Sequence, residues 1–60
     1  MTLTQVELQN LKQLINMNDI KYQKLNSYAS SSTDPQIKQL FTKASQDALN
    51  SKQMLLTFLE

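Results

Sequence analysis

Apolar residues recur through the first half of the chain at alternating steps of three and four. Leu8, Leu11, Ile15, Asn18, Tyr22, Leu25 and Ala29 fall on one stripe of a helix, with Asn18 the single polar member. The start of that helix is marked by Thr4-Gln5-Val6-Glu7, which has the S/T-x-x-E form of a capping box. Leu3 and Leu8 flank it at the spacing of a hydrophobic staple. The pattern breaks at Ser30-Ser31-Ser32, whose hydroxyls compete for backbone hydrogen bonds and weaken helix preference. Asp34-Pro35 then opens a second helix. Aspartate accepts from the first free N–H groups, and proline suits the first helical position while driving the residue before it out of the α region. The second stripe is Ile37, Phe41, Ala44, Ala48, Ser51, Leu55 and Phe58. The spacing predicts one domain over residues 1–60: a helix over 4–30, a turn over 31–34 and a helix over 35–59.

A turn this short makes the two helices antiparallel neighbours. Paired outward from the turn, Ala29 meets Ile37, Leu25 meets Phe41, Tyr22 meets Ala44, and Asn18 meets Ala48. Ile15 then meets Ser51, Leu11 meets Leu55, and Leu8 meets Phe58, and every pair of residue numbers sums to 66. Large residues face small ones, as interdigitating layers require. A second apolar set lies to one side of this seam: Val6, Leu14, Met17 and Tyr28 on the first helix, Leu40, Met54 and Phe58 on the second. In an antiparallel pair, equal angular offsets from the contact line fall on the same face, so these seven residues form one patch. The other face is polar on the first helix (Lys12, Asp19, Gln23, Asn26), with Leu49 and Leu56 interrupting it on the second. The patch is the expected dimer interface, two hairpins packing into an all-α four-helix bundle. Asn18, Lys21, Asp47 and Ser51 are expected to form a polar layer across its middle, with Lys21 and Asp47 reaching each other across the helices.

Composition removes most alternatives. The chain has no cysteine, histidine, tryptophan or glycine, and one proline. Imidazole bases, thiolates, disulfides and phosphate-cradling glycine loops are therefore out of reach, and strand hairpins are disfavoured. Glu7 and Glu60 are the only glutamates, both at ends, and Asp19 and Asp47 are expected on opposite faces of the hairpin. No catalytic residue, metal ligand set or cofactor site is expected. A formal net charge of +1 with scattered lysines gives no nucleic-acid footprint. With no apolar run approaching about 18 residues, no membrane span is expected either. The chain is expected to be made in the cytoplasm without a Sec-type signal.

One resemblance spans nearly the whole chain. Leu25-x-x-Tyr28-Ala29, Asp34-Pro35-x-Ile37-Lys38-x-x-Phe41, Asp47-Ala48-x-Asn50 and the closing Leu55-x-x-Phe58-Leu59 resemble the coat F-type domain of spore coat proteins from spore-forming bacteria. The opening Leu-Thr-x-x-Glu-Leu-x-x-Leu-x-x-Leu-Ile is similar to short members of that group. The resemblance implies a ferritin-like helical hairpin, no enzymatic activity and a structural place in the spore coat, among copies of itself and other coat proteins. Short members carry glutamate and histidine near the middle of the first helix, where this chain reads Asn16-Met17-Asn18-Asp19, so no metal role is carried over. Two other readings compete with a coat protein. One is a small adaptor whose patch binds an amphipathic helix of another protein. The other is a degenerate ferritin-like metal binder.

Overall fold

A computed structural model describes residues 2–59 of the chain. Two α-helices, α1 (Gln5–Ser31) and α2 (Pro35–Leu56), run past each other, and a single 3₁₀ turn at Thr57–Leu59 follows. Among the described residues there is no strand. The result is a two-helix hairpin 46 Å long, with the other two extents of its Cα trace only 14 and 11 Å.

The capping residues act locally, through short hydrogen bonds. Thr4 is extended and takes the Glu7 N–H on its hydroxyl at 3.1 Å, while the Glu7 carboxylate takes the Thr4 N–H at 3.1 Å. At the second start the Asp34 carboxylate accepts from the Gln36 and Ile37 N–H groups at 2.8 and 3.3 Å. Two of the free donors that open α2 are thereby satisfied, with Pro35 in the first turn behind them. The serine run contributes more to α1 than to the turn. Ser30 and Ser31 stay helical and return their hydroxyls to the carbonyls of Asn26 and Tyr28, so the helix extends to 31 rather than 30.

The second helix stops short of the expected residue 59. After Leu56 the backbone tightens, with the Thr57 N–H turning to the Met54 carbonyl and the Thr57 hydroxyl bonding the same oxygen at 2.6 Å. A threonine that satisfies a carbonyl three residues back favours the 3₁₀ turn over another α turn.

All seven stripe residues of α1 are half-buried or buried, from Leu8 through Ala29. On α2 the contact surface is Phe41, Ala44, Ser45, Ala48, Leu49, Ser51, Lys52 and Leu55. Counted at about 100° per residue, its centre is turned roughly 40° from the expected stripe, toward Ser45 and Leu49. The expected seam pairs at the two ends are thus not closed: Ile37 and Phe58 each remain 43 % exposed. The cause is the small residues. Ala29, Ser45 and Ala48 are small enough to be buried between the helices, and the Ser45 hydroxyl donates to the Thr42 carbonyl at 2.8 Å. Among the described residues, Leu11 is the only large side chain in the buried set.

Candidate interaction face

The hairpin has an interior one side chain thick, so its apolar residues divide into a covered line and an uncovered face. Val6, Leu14, Met17, Tyr28, Leu40, Met54 and Phe58 are all exposed. The two helices contribute to this face at matched levels. Away from the turn, Leu11 and Leu14 of α1 line a groove with Leu55 and Phe58. Near the turn, the Tyr28 ring leans on Phe41 with centroids 5.5 Å apart and planes tilted by 58°. Between them a shallow open groove of about 500 Å³ follows α1, lined by Leu14, Met17, Asn18, Ile20, Lys21, Lys24, Leu25 and Tyr28. Ile20 and Lys24 were not expected there. Their apolar and aliphatic parts extend the patch around the back of α1, beyond the two offsets that a seam-centred count considers.

The surface area gives the face a scale. A compact monomer of 6.9 kDa exposes about 4000 Å². This chain exposes 4802 Å². Its radius of gyration is 14.1 Å, against about 10 Å for a compact chain of its length. The excess of roughly 800 Å² goes with the rod-like shape and leaves the hairpin with little covered surface.

The polar residues rearrange the expected middle layer. Asn18 and Ser51 do lie half-buried in the seam, and the Asn18 side-chain amide donates to the Leu14 carbonyl at 2.9 Å. Lys21 and Asp47 do not meet, and both are exposed. Lys21 lines the α1 groove, while Asp47 lies in a separate one on α2 with Pro35, Lys38, Thr42 and Lys43. Each projects about 90° from the contact line, so both side chains stand up off the apolar face instead of leaning across it. The ion pair that does form is on the other face. Lys52 Nζ lies 2.7 Å from Asp19 Oδ1, and the Gln23 amide donates to the second carboxylate oxygen at 3.2 Å. Both partners sit closer to the contact line, which lets them reach across. With side chains 28 % and 33 % exposed, the pair is a surface bridge worth about 0–1 kcal/mol. Of the four residues expected in the layer, Asn18 and Ser51 are half-buried and the two charged ones are exposed.

Among the described residues no cluster of three or more His, Cys, Asp or Glu side chains gathers, and no helix is long and apolar enough to cross a membrane. Glu7 is displaced from its ordinary range. Hydrogen bonds from the Thr4 backbone and then its side chain hold that carboxyl low.

No protein-family model matches the chain, and neither does any curated protein or solved structure with which it was compared. What the described residues offer is an elongated, largely apolar surface, with Lys21 and Lys24 along its α1 groove.

Proposed function

We propose that the chain is a non-enzymatic structural component of the bacterial spore coat that self-associates through its apolar face. The observation that carries this reading is the size of the exposed apolar set: seven of the eleven large apolar residues left exposed lie to one side of the seam by helical count, on a hairpin with almost no buried core of its own. A hairpin so built gains a core by pairing face to face with a second copy, as a four-helix bundle of ferritin-like form. The coat assignment is supported by the resemblance of the Asp34-Pro35, Asp47-Ala48 and Leu55-x-x-Phe58 segments to coat F-type domains. On this reading the partners are the chain itself and other coat proteins, with no nucleic acid, membrane or cofactor involved. Sedimentation equilibrium of the purified chain tests the assembly, with a homodimer expected. Fractionating spores tests the location, with the chain expected in the coat extract. A monomer at all concentrations would instead favour an adaptor whose face receives an amphipathic helix of another protein. Absence from the coat fraction would remove the coat assignment.

A further inference from the structure

We infer that the two copies pair about a two-fold axis parallel to the helices, with both turns at the same end and Lys21 of each chain bonded to the partner's Asp47. This rests on the self-association proposed above and specifies its geometry.

Three levels on the apolar face repeat at heptad spacing. They are Leu14, Lys21 and Tyr28 on α1, and Leu40, Asp47 and Met54 on α2. All six residues are exposed. Leu14 and Met54, Lys21 and Asp47, and Tyr28 and Leu40 each have numbers that sum to 68, close to the seam register, so each pair shares a level. Within one chain Lys21 and Asp47 lie at one level yet do not meet: both are exposed, and they line separate grooves, on α1 and on α2.

A face-to-face pair of hairpins can be related by a two-fold along the helices or by one across them. An axis along the helices preserves levels and lays α1 on the partner's α2. Leu14 then meets the partner's Met54, Tyr28 meets the partner's Leu40, and Lys21 meets the partner's Asp47, twice by symmetry. An axis across the helices reverses levels and lays each helix on its own copy. Asp47 is within one residue of the mid-level of the stretch 35–59, so that arrangement brings it against the partner's Asp47. Like charges so placed are strongly unfavourable, while opposite ones fix register. Charge complementarity therefore selects the axis along the helices.

A nitroxide attached at Thr33→Cys, an exposed turn position, reports the geometry directly. The expected result is a dimer whose two labels lie near each other, with backbones separated by about one or two helix diameters. Charge reversal reports the pair. Lys21→Asp and Asp47→Lys are each expected to weaken dimerisation about tenfold or more. Mixing the two variants is expected to restore it, since a heterodimer regains both opposite-charge contacts while neither chain regains one internally. A dimer with labels a full 46 Å hairpin length apart would overturn the inference and leave self-association standing. So would single variants that dimerise like the unaltered chain. An unaltered chain that stays monomeric would remove both.

Discussion

Replacing Leu14 and Leu40 together by aspartate is expected to abolish dimerisation and most of the helix with it. The structure sets the scale. The two leucines are 45 % and 61 % exposed in the single hairpin, and that fraction is what a partner would cover. Scaling the roughly 1.5–3 kcal/mol of a fully buried leucine by those fractions gives about 1.5–3 kcal/mol per chain and about 3–6 kcal/mol per dimer. That alone weakens the dimer by about a hundredfold to ten-thousandfold. The four aspartates introduced per dimer would add several kcal/mol each if they stayed charged and covered. Neither leucine is among the buried residues of the hairpin, so the substitution leaves the internal seam intact. Analytical ultracentrifugation with far-UV circular dichroism reads association and helicity on the same sample. Gln13→Asp with Gln39→Asp adds the same charges on the backs of the two helices, and is expected to leave both readouts unchanged. A stable, fully helical monomer carrying Leu14→Asp and Leu40→Asp would refute the reasoning, as would an undiminished dimer.

Other substitutions test the hairpin itself. Asp34→Ala removes the acceptor of two N–H groups and is expected to cost about 1 kcal/mol in chemical denaturation, where Asp34→Asn costs less. Asp19→Asn and Lys52→Met, singly and together, are expected to show a coupling energy of no more than about 1 kcal/mol, as for a surface bridge. A coupling several times larger would mean that the pair is covered in the assembled protein. The capping box gives a pH dependence with a definite sign. Glu7 is held below its ordinary value in the folded chain, so its contribution is complete above the unfolded value of about 4.3 and is lost as the pH falls through the lower folded value. Residue-resolved NMR is expected to show fraying of the first turn of α1 in that acid range. Glu7→Gln, which keeps the box without the charge, is expected to remove the pH dependence.

How much of this was legible in the sequence depended on whether a residue acts locally or across the hairpin. Thr4, Glu7, Asp34 and Pro35 act on their own neighbours: α1 begins at Gln5, behind the Thr4 cap and one residue after the expected start, and α2 begins at Pro35, behind the Asp34 cap. The α1 stripe was equally plain, because its large apolar residues leave one choice of face. The α2 stripe was less so. Its middle is alanine and serine, which rank faces poorly by hydrophobicity. Its observed orientation is set by how closely Ser45 and Ala48 let the backbones approach. The same turn of about 40° brought Lys52 within reach of Asp19 and carried Asp47 farther from the contact line. A charge pair that depends on rotation about a helix axis has no signature in spacing alone. Nor does the 3₁₀ ending have one, since it turns on a single hydroxyl at Thr57.

A hairpin whose buried set is Leu11, Ala29, Ser45 and Ala48 has little of its own to hold it together. Ordering each residue costs about 1–2 kcal/mol of backbone entropy, and burial on this scale does not offset it. On the proposed reading, folding and pairing are one event, and the unfolding temperature must then depend on concentration. The size of the effect follows from the chain length. Two chains of 60 residues unfolding together carry an entropy of roughly 250 cal/mol/K, at about 2.1 cal/mol/K per residue. A tenfold rise in concentration contributes about 1.4 kcal/mol to the dimer. The midpoint is therefore expected to climb by about 5 °C for each tenfold increase in protein, read by circular dichroism or calorimetry. Lys21→Asp is expected to lower the whole series of midpoints without changing its slope, because it weakens the pair without altering the number of chains that unfold. A midpoint independent of concentration over two decades would show that the hairpin folds alone, and that its apolar face is held in reserve for some other partner.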